Sequence, residues 1–372
     1  MEWVKQMKKP SVGIAIMPES DFLNACLPLF QKGEINVIEW SFDTIIHENL
    51  KPEWLTGLLD SFACENKLLG HGVYYSLLDA SWSKRQDLWL EELKKEITLR
   101  KYNHISEHFG YMSSSDFHAG FPLPVSLNST SLQIGIDRIK RLQNVVELPV
   151  GIENLAFSFS KNDVQDQGIF IEKIINSVGG FVILDLHNLY CQSHNFEIDI
   201  IDLVNLYPVN EVKEIHISGG SWQESLYQKN KKIRRDTHDG NIPKEIFDIL
   251  PNVLSKCQNV EFVIFERLGN SFKMDNDYVD YQKDFRKLKS IVENQTYIEN
   301  NKIWKENFEL EKIPFTDFKL HQEQKILTEN LKIKNCAEIQ KMKFSNWDVN
   351  SWDIEMINTA IQISEKWSSE SH

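Results

Sequence analysis

The sequence lacks the marks of several protein classes. No apolar run approaches the ~18 residues that a membrane span needs, so none is expected. The opening MEWVKQMKKPSVG is too short and too polar before its first apolar run to read as a signal peptide. Cysteine is sparse and odd in number: Cys26, Cys64, Cys191, Cys257 and Cys336 are scattered, with no CxxC pair and no CxxxCxxC radical motif. That pattern argues against a disulfide framework or a thiolate zinc site and for reduced thiols in the cytoplasm. Basic residues are in deficit, 41 Lys and Arg against 54 Asp and Glu, and the net charge of −13 argues against nonspecific nucleic-acid binding. No glycine-rich phosphate loop follows the first apolar run, which continues MPESDFLNAC.

What remains is a chain of 372 residues, 41% apolar, with 21 Phe, 10 Trp and 10 Tyr. That is ample core for one large domain with additions, or for two. Eight short apolar runs recur with amphipathic stretches between them: 11–17, 37–43, 69–77, 104–112, 150–157, 181–190, 212–220 and 260–269. SWSKRQDLWLEELKKEITLRKYN and SLQIGIDRIKRLQNVVE carry apolar residues at helical spacing. KEIFDILPNVLSKCQ does too, although Pro251 should kink or split it. Eight strand–helix units over about 270 residues predict an α/β fold, a closed (β/α)8 TIM barrel, in preference to a doubly wound sheet. Residues 291–372 break this rhythm. They read as a connector and a mainly helical C-terminal extension, with helices expected within 315–333 and 350–367 and a frayed end from 365. The expected division is a barrel over 1–290 and an extension over 291–372 that docks on the barrel or on a partner or peptide.

A barrel predicts polar side chains at the C-terminal ends of its strands. His71 and His108 lie in or near the third and fourth runs, and Glu153 and Asn154 in the fifth. Asp185, His187 and Asn188 end the sixth, and His216 lies in the seventh. Asp236 and His238 follow it in RRDTHDG, and Glu266 ends the eighth. One such histidine is ordinarily a packed, hydrogen-bonded residue, but convergence from six successive positions points to a metal or acid–base centre. A nitrogen and oxygen donor set suits iron, manganese or zinc, and its several carboxylates suit two or more ions. The residues alone leave the reaction open between metal-dependent hydrolysis or isomerisation (endonuclease or sugar isomerase) and oxidation with dioxygen.

The stretches HGVYYSL, SEHFGYM, VGIENLAF, LDLHNLY, EIHISGG, DTHDG and VIFERLG, in this order and at these intervals over residues 10–290, resemble the multinuclear non-heme iron-dependent oxidative enzymes (MNIO, formerly DUF692), which include the methanobactin biosynthesis enzyme. The resemblance implies a xylose-isomerase-like barrel holding two or three iron ions of mixed valence. Dioxygen is then the cosubstrate for oxidising a cysteine in a ribosomally synthesised precursor peptide. By motif, Glu153, Asn188, His216, Asp236, His238 and Glu266 match the ligands of a two-iron core, and His71 and His108 those of a third position. Asp185 and His187 become supporting residues that orient ligands or handle protons. The resemblance also implies a small partner protein that binds the precursor's leader. Trp222, Arg234 and Arg235 are candidates for the peptide entrance. Departures from the family pattern are Glu19 after the first strand, Phe196 in place of a common histidine, and Gly220 in place of another. A noncatalytic peptide-binding protein is the remaining alternative.

Overall fold

The computed structural model describes residues 9–116, 118–295, 302, 304, 309–333 and 335–369. Eight parallel strands close on themselves: β1 (Ser11–Ala15), β2 (Val37–Trp40), β3 (Leu68–Gly72), β4 (Ile105–His108), β5 (Val150–Glu153), β6 (Phe181–Asp185), β7 (Val212–Ile217) and β8 (Phe262–Phe265). Each pairs with its neighbours in sequence, and β8 returns to β1 through Ser11↔Phe262 to Ile14↔Phe265. The expected (β/α)8 barrel is the fold.

Each strand is shorter than the apolar run that announced it, and in two places polar side chains take over the backbone at the strand's end. After Gly72 the amides of Val73 and Tyr74 donate to Asp43 Oδ2 (2.9 and 2.7 Å), and that of Tyr75 to Glu107 Oε2 (3.3 Å). After Glu153 the side chain of Asn154 spans the backbone of Asp185, accepting from its N–H (2.8 Å) and donating to its carbonyl (3.2 Å).

The outer helices are α1 (Ser20–Gln31), α2 (Glu53–Cys64), α3 (Lys84–Leu99), α4 (Ser129–Val146), α5 (Lys161–Val178), α6 (Leu186–Phe196), α7 (Ile200–Asn205), α8 (Lys244–Lys256) and α9 (Asp275–Glu293). Reciprocal caps start three of them: Ser83 with Gln86, Asn128 with Ser131 and Ser160 with Asp163. Pro251 lies inside α8 and does not split it. It removes one ladder bond, while Ile246, Phe247, Leu250, Val253 and Leu254 bury a continuous apolar face. No helix among the described residues is long and apolar enough to cross a membrane.

The extension is helical, with α10 (Phe318–Ile333), α11 (Cys336–Ile339) and α12 (Ile354–Ser369). It lies across the loops that follow barrel strands. Gln324 of α10 accepts from the Ala80 amide and donates to the Leu78 carbonyl, both at 2.9 Å. Trp352 stacks on Phe159 with centroids 4.0 Å apart. Gln362 of α12 accepts from Gln223 (2.7 Å) and Arg235 (3.2 Å). At the opposite end of the barrel, Trp304 packs on Phe181 at the start of β6. The expectations for residues 1–8, for 296–301 and for the last residues 370–372 fall outside the described residues.

Candidate metal centre

The candidate residues collect at the C-terminal mouth of the barrel. His71 leaves β3 and His108 leaves β4, and the Nε2 atoms of the two rings face each other at 3.5 Å. Glu153 Oε2, from the end of β5, lies 3.1 Å from the first and 3.2 Å from the second. The opposite nitrogens fix what these atoms carry. Ser106 Oγ donates to the Gly70 carbonyl (3.2 Å), so it accepts the Nδ1–H of His71 (2.8 Å). The Nδ1–H of His108 donates to the Gly72 carbonyl (3.1 Å). Both Nε2 atoms therefore turn lone pairs toward the carboxylate oxygen, and three acceptors that meet this closely require a cation. In the metal-free chain a proton serves. Burial alone would lower the His71 pKa, but the charges of Glu39 and Glu153 lift it to about 10.

The other oxygen of Glu153 continues the cluster. Glu153 Oε1 is 3.6 Å from His216 Nδ1, which is 3.4 Å from Glu266 Oε1. Glu153, Asp185, His216 and Glu266, all buried, bring potential ligand atoms within 4.8 Å of one another. Asp185 Oδ2, Asn188 Oδ1, His216 Nδ1 and Glu266 Oε2 are buried without a hydrogen-bond partner. Orphaned atoms on this scale cost several kcal/mol unless an ion satisfies them, and this donor set fits a divalent or trivalent metal. Burial opposes the ionisation of Glu153, yet His108, His216 and His71 hold its carboxyl well below the usual range.

Asp236 and His238 form the outer edge, with Asp236 Oδ1 2.8 Å from His238 Nε2. His238 Nε2 is 3.9 Å from Glu266 Oε2. His238 sits at φ +48°, a conformation unusual for a side-chain-bearing residue, and its carbonyl is tied to the Leu268 amide (2.9 Å). The side chains of His108, Asp236 and His238 are 23, 27 and 22% exposed, whereas those of His71, Glu153, His216 and Glu266 are below 10%. The cluster is therefore open on one side only.

Several residues sit differently from the sequence reading. Only Asp185 ends β6. His187 and Asn188 occupy the first turn of α6, because Asp185 Oδ1 accepts the Asn188 amide (2.6 Å) and starts the helix without a loop. Asn188 Nδ2 donates to the Asn154 carbonyl (2.8 Å), and His187 Nδ1 pairs with Asp236 Oδ1 (3.0 Å). Arg234, expected at a peptide entrance, is 5% exposed and turned inward. Trp222 is 42% exposed and packs edge-on against His194 (4.9 Å). Arg235 is half-buried and donates to Gln223 (2.6 Å) and Gln362. Gly220 cannot be exchanged for a larger residue in place, since a Cβ there would lie 2.3 Å from the Arg235 carbonyl and 2.9 Å from His187. Glu19 leans on Gly269, with Oε2 buried and unpartnered, and Phe196 is buried core.

The sequence reading missed a layer of buried charge beneath the mouth. His216 Nε2 lies 3.3 Å from Glu39 Oε2 and 3.4 Å from Glu214 Oε1, and Glu214 Oε2 is 2.6 Å from His104 Nε2. Glu214 stands two residues before His216 and so faces the same way, a signal already present in EIH. Glu39, in VIEW, has apolar neighbours on both sides.

A family model described as RiPP precursor modification enzyme MbnB/TglH/ChrH matches residues 28–291. The chain belongs to this family. A UPF0276 protein of Shewanella sediminis is 21% identical over 162 residues, 44% of this chain and 56% of that protein. Another from Acaryochloris marina is 23% identical over 208 residues, 55% of this chain and 72% of that protein. The chain spans only about half the length of several of these relatives. Among solved structures, a xylose isomerase domain protein from Salmonella typhimurium aligns with a TM-score of 0.49 at 12% identity, covering 78% of this chain and 99% of that one. One from Rhodospirillum rubrum aligns at 0.47 and 16%, covering 77% and 99%.

Proposed function

We propose that this enzyme holds two or three iron ions and uses dioxygen to oxidise a cysteine in a ribosomally synthesised precursor peptide. The observation that carries the reading is the meeting of His71 Nε2, His108 Nε2 and Glu153 Oε2 at one point, which needs a proton or a metal ion among them, continued through Glu153 to His216 and Glu266. On this reading Glu153, Asn188, His216, Asp236, His238 and Glu266 hold two ions, and His71 and His108 hold a third with a share in Glu153. Iron in such a nitrogen–oxygen set supplies a Lewis acid for a thiolate and one-electron chemistry toward dioxygen.

The chain's own residues divide the remaining work. Ser106 and the Gly72 carbonyl hold the Nδ1 protons of His71 and His108, which keeps the Nε2 atoms bare. Glu39 and Glu214 lie 3.3 and 3.4 Å from His216 Nε2, which favours a proton there and leaves Nδ1 for the mouth. The partly exposed edge of His108, Asp236 and His238 is where a peptide cysteine approaches, and the closed remainder keeps bulk water from the other ligands. A small partner protein presents the leader. Equal turnover of full-length precursor with and without such a protein would remove that requirement.

Anaerobic purification with elemental analysis and Mössbauer spectroscopy tests the reading. The expected result is two or three irons of mixed valence, with dioxygen uptake that depends on a cysteine-containing precursor. His238→Ala should abolish turnover and leave the circular dichroism unchanged. Stoichiometric zinc or manganese with no dioxygen uptake would instead indicate a hydrolase or isomerase.

A further inference from the structure

Arg234 is a buried cation beside the partly exposed Asp236, and its hydrogen bonds are informative. Its Nε and Nη2 both donate to one atom, His187 Nε2, at 3.2 and 3.0 Å. A guanidinium has donors and no acceptor, so that nitrogen must carry a lone pair. The single proton of a neutral imidazole then resides on Nδ1, which donates to Asp236 Oδ1 at 3.0 Å. The reverse tautomer would set N–H against N–H, and an imidazolium would set two cations head to head in a buried place.

Everything around Arg234 holds it in this pose. Asn195 clamps its backbone, accepting from its N–H (2.8 Å) and donating to its carbonyl (3.0 Å). The guanidinium packs against the rings of Tyr190 (5.3 Å) and Trp222 (5.1 Å). The absence of a side chain at Gly220 leaves room for the His187 ring.

We propose that Arg234 is a positioning residue that acts through His187: it fixes the Nδ1–H tautomer, and that N–H sets the orientation of the Asp236 carboxylate toward the metals. This rests on the reading of Asp236 as a metal ligand. The consequence falls on Asp236, whose Oδ1 is held by His187 at 3.0 Å and also lies 2.8 Å from His238 Nε2. Hydrogen bonds of this supporting kind typically change metal affinity by roughly 10–100-fold.

The test is anaerobic iron(II) titration of the full chain, comparing wild type with Arg234→Met, His187→Leu, His187→Gln and the double variant Arg234→Met/His187→Leu. Arg234→Met and His187→Leu should each weaken the most weakly held iron by roughly 10–100-fold. His187→Gln should recover most of that loss, because its amide oxygen accepts from Arg234 while its NH2 donates to Asp236. The double variant should be no worse than His187→Leu alone, since both act on one chain of bonds. Unchanged affinity in Arg234→Met, additive losses in the double variant, or His187→Gln as weak as His187→Leu would each overturn the proposal.

A second measurement needs neither metal nor folded variants of Arg234. Ring 15N shifts of His187 in the metal-free wild type, assigned by the signal lost in His187→Gln, should report a protonated Nδ1 and a bare Nε2. The opposite tautomer or an imidazolium overturns the proposal. Wild type that shows the expected tautomer yet takes up no iron would overturn the iron reading while the hydrogen-bond order stands.

Discussion

Glu153 is the residue on which the two halves of the cluster depend. Its Oε2 meets His71 and His108, and its Oε1 turns to His216. Glu153→Gln keeps the volume and removes the charge, placing an amide among donors that have lone pairs to offer. It should deplete iron at both halves together and lower turnover by more than about 100-fold, as elemental analysis and a precursor assay would record. His71→Ala should instead deplete one position and leave the iron signals of the other. The eight candidate ligands could be named from motifs because the strand ends of a barrel and the segments that follow them gather polar residues at one mouth. Glu214 could have been read from its two-residue spacing to His216, whereas Glu39, flanked by Ile38 and Trp40, could not, since an acidic residue inside a short apolar strand looks outward-facing until the barrel closes around it.

At the scale of elements, the eight strands were legible from apolar runs, and their ends were not. Where a strand stops depends on distant carboxylates, such as Asp43 for the stretch after β3, and no local pattern reports them. Another distant contact joins α2 to α3. Arg100, just past α3, is buried and donates to Glu48 (2.8 and 3.0 Å), Asp60 (2.8 Å) and Glu96 (3.0 Å). Its hydrogen bonds, with those of Lys51, bring the Glu48 pKa down to about 2, against burial. A depressed carboxyl stabilises the fold above its unfolded value near 4.5 and loses that contribution as pH falls through about 2. Arg100→Met should therefore flatten the stability-against-pH curve between about 4.5 and 2 and lower stability at pH 7, as urea melts at successive pH values would reveal. The partial exposure of Glu48 keeps its own share modest.

For the whole molecule, the charge balance is uneven. Glu39, Glu153, Asp185, Glu214, Asp236 and Glu266 all lie within or just beneath one mouth. Burial, followed by the charges of Glu153 and Glu266, already raises the pKa of Asp185. Bound cations relieve this repulsion, so the melting temperature should rise on anaerobic addition of iron(II) and fall on chelation, as calorimetry can follow. Uptake should also release protons, because His71, raised to about 10, is charged at neutral pH and must give one up. Iron affinity should therefore weaken as pH falls. Trp352, stacked on Phe159 and 5% exposed, anchors the extension, and Trp352→Ala should cost about 3–5 kcal/mol in a denaturant melt.

The straps that cross the mouth come from the end of the chain. Gln324, Trp352 and Gln362 hold the loops after β3, β5 and β7. A ribosome makes the chain from its N-terminus, so every candidate ligand from His71 to Glu266 leaves it before these three residues exist. The barrel and its candidate ligands are thus made before the segments that hold its loops.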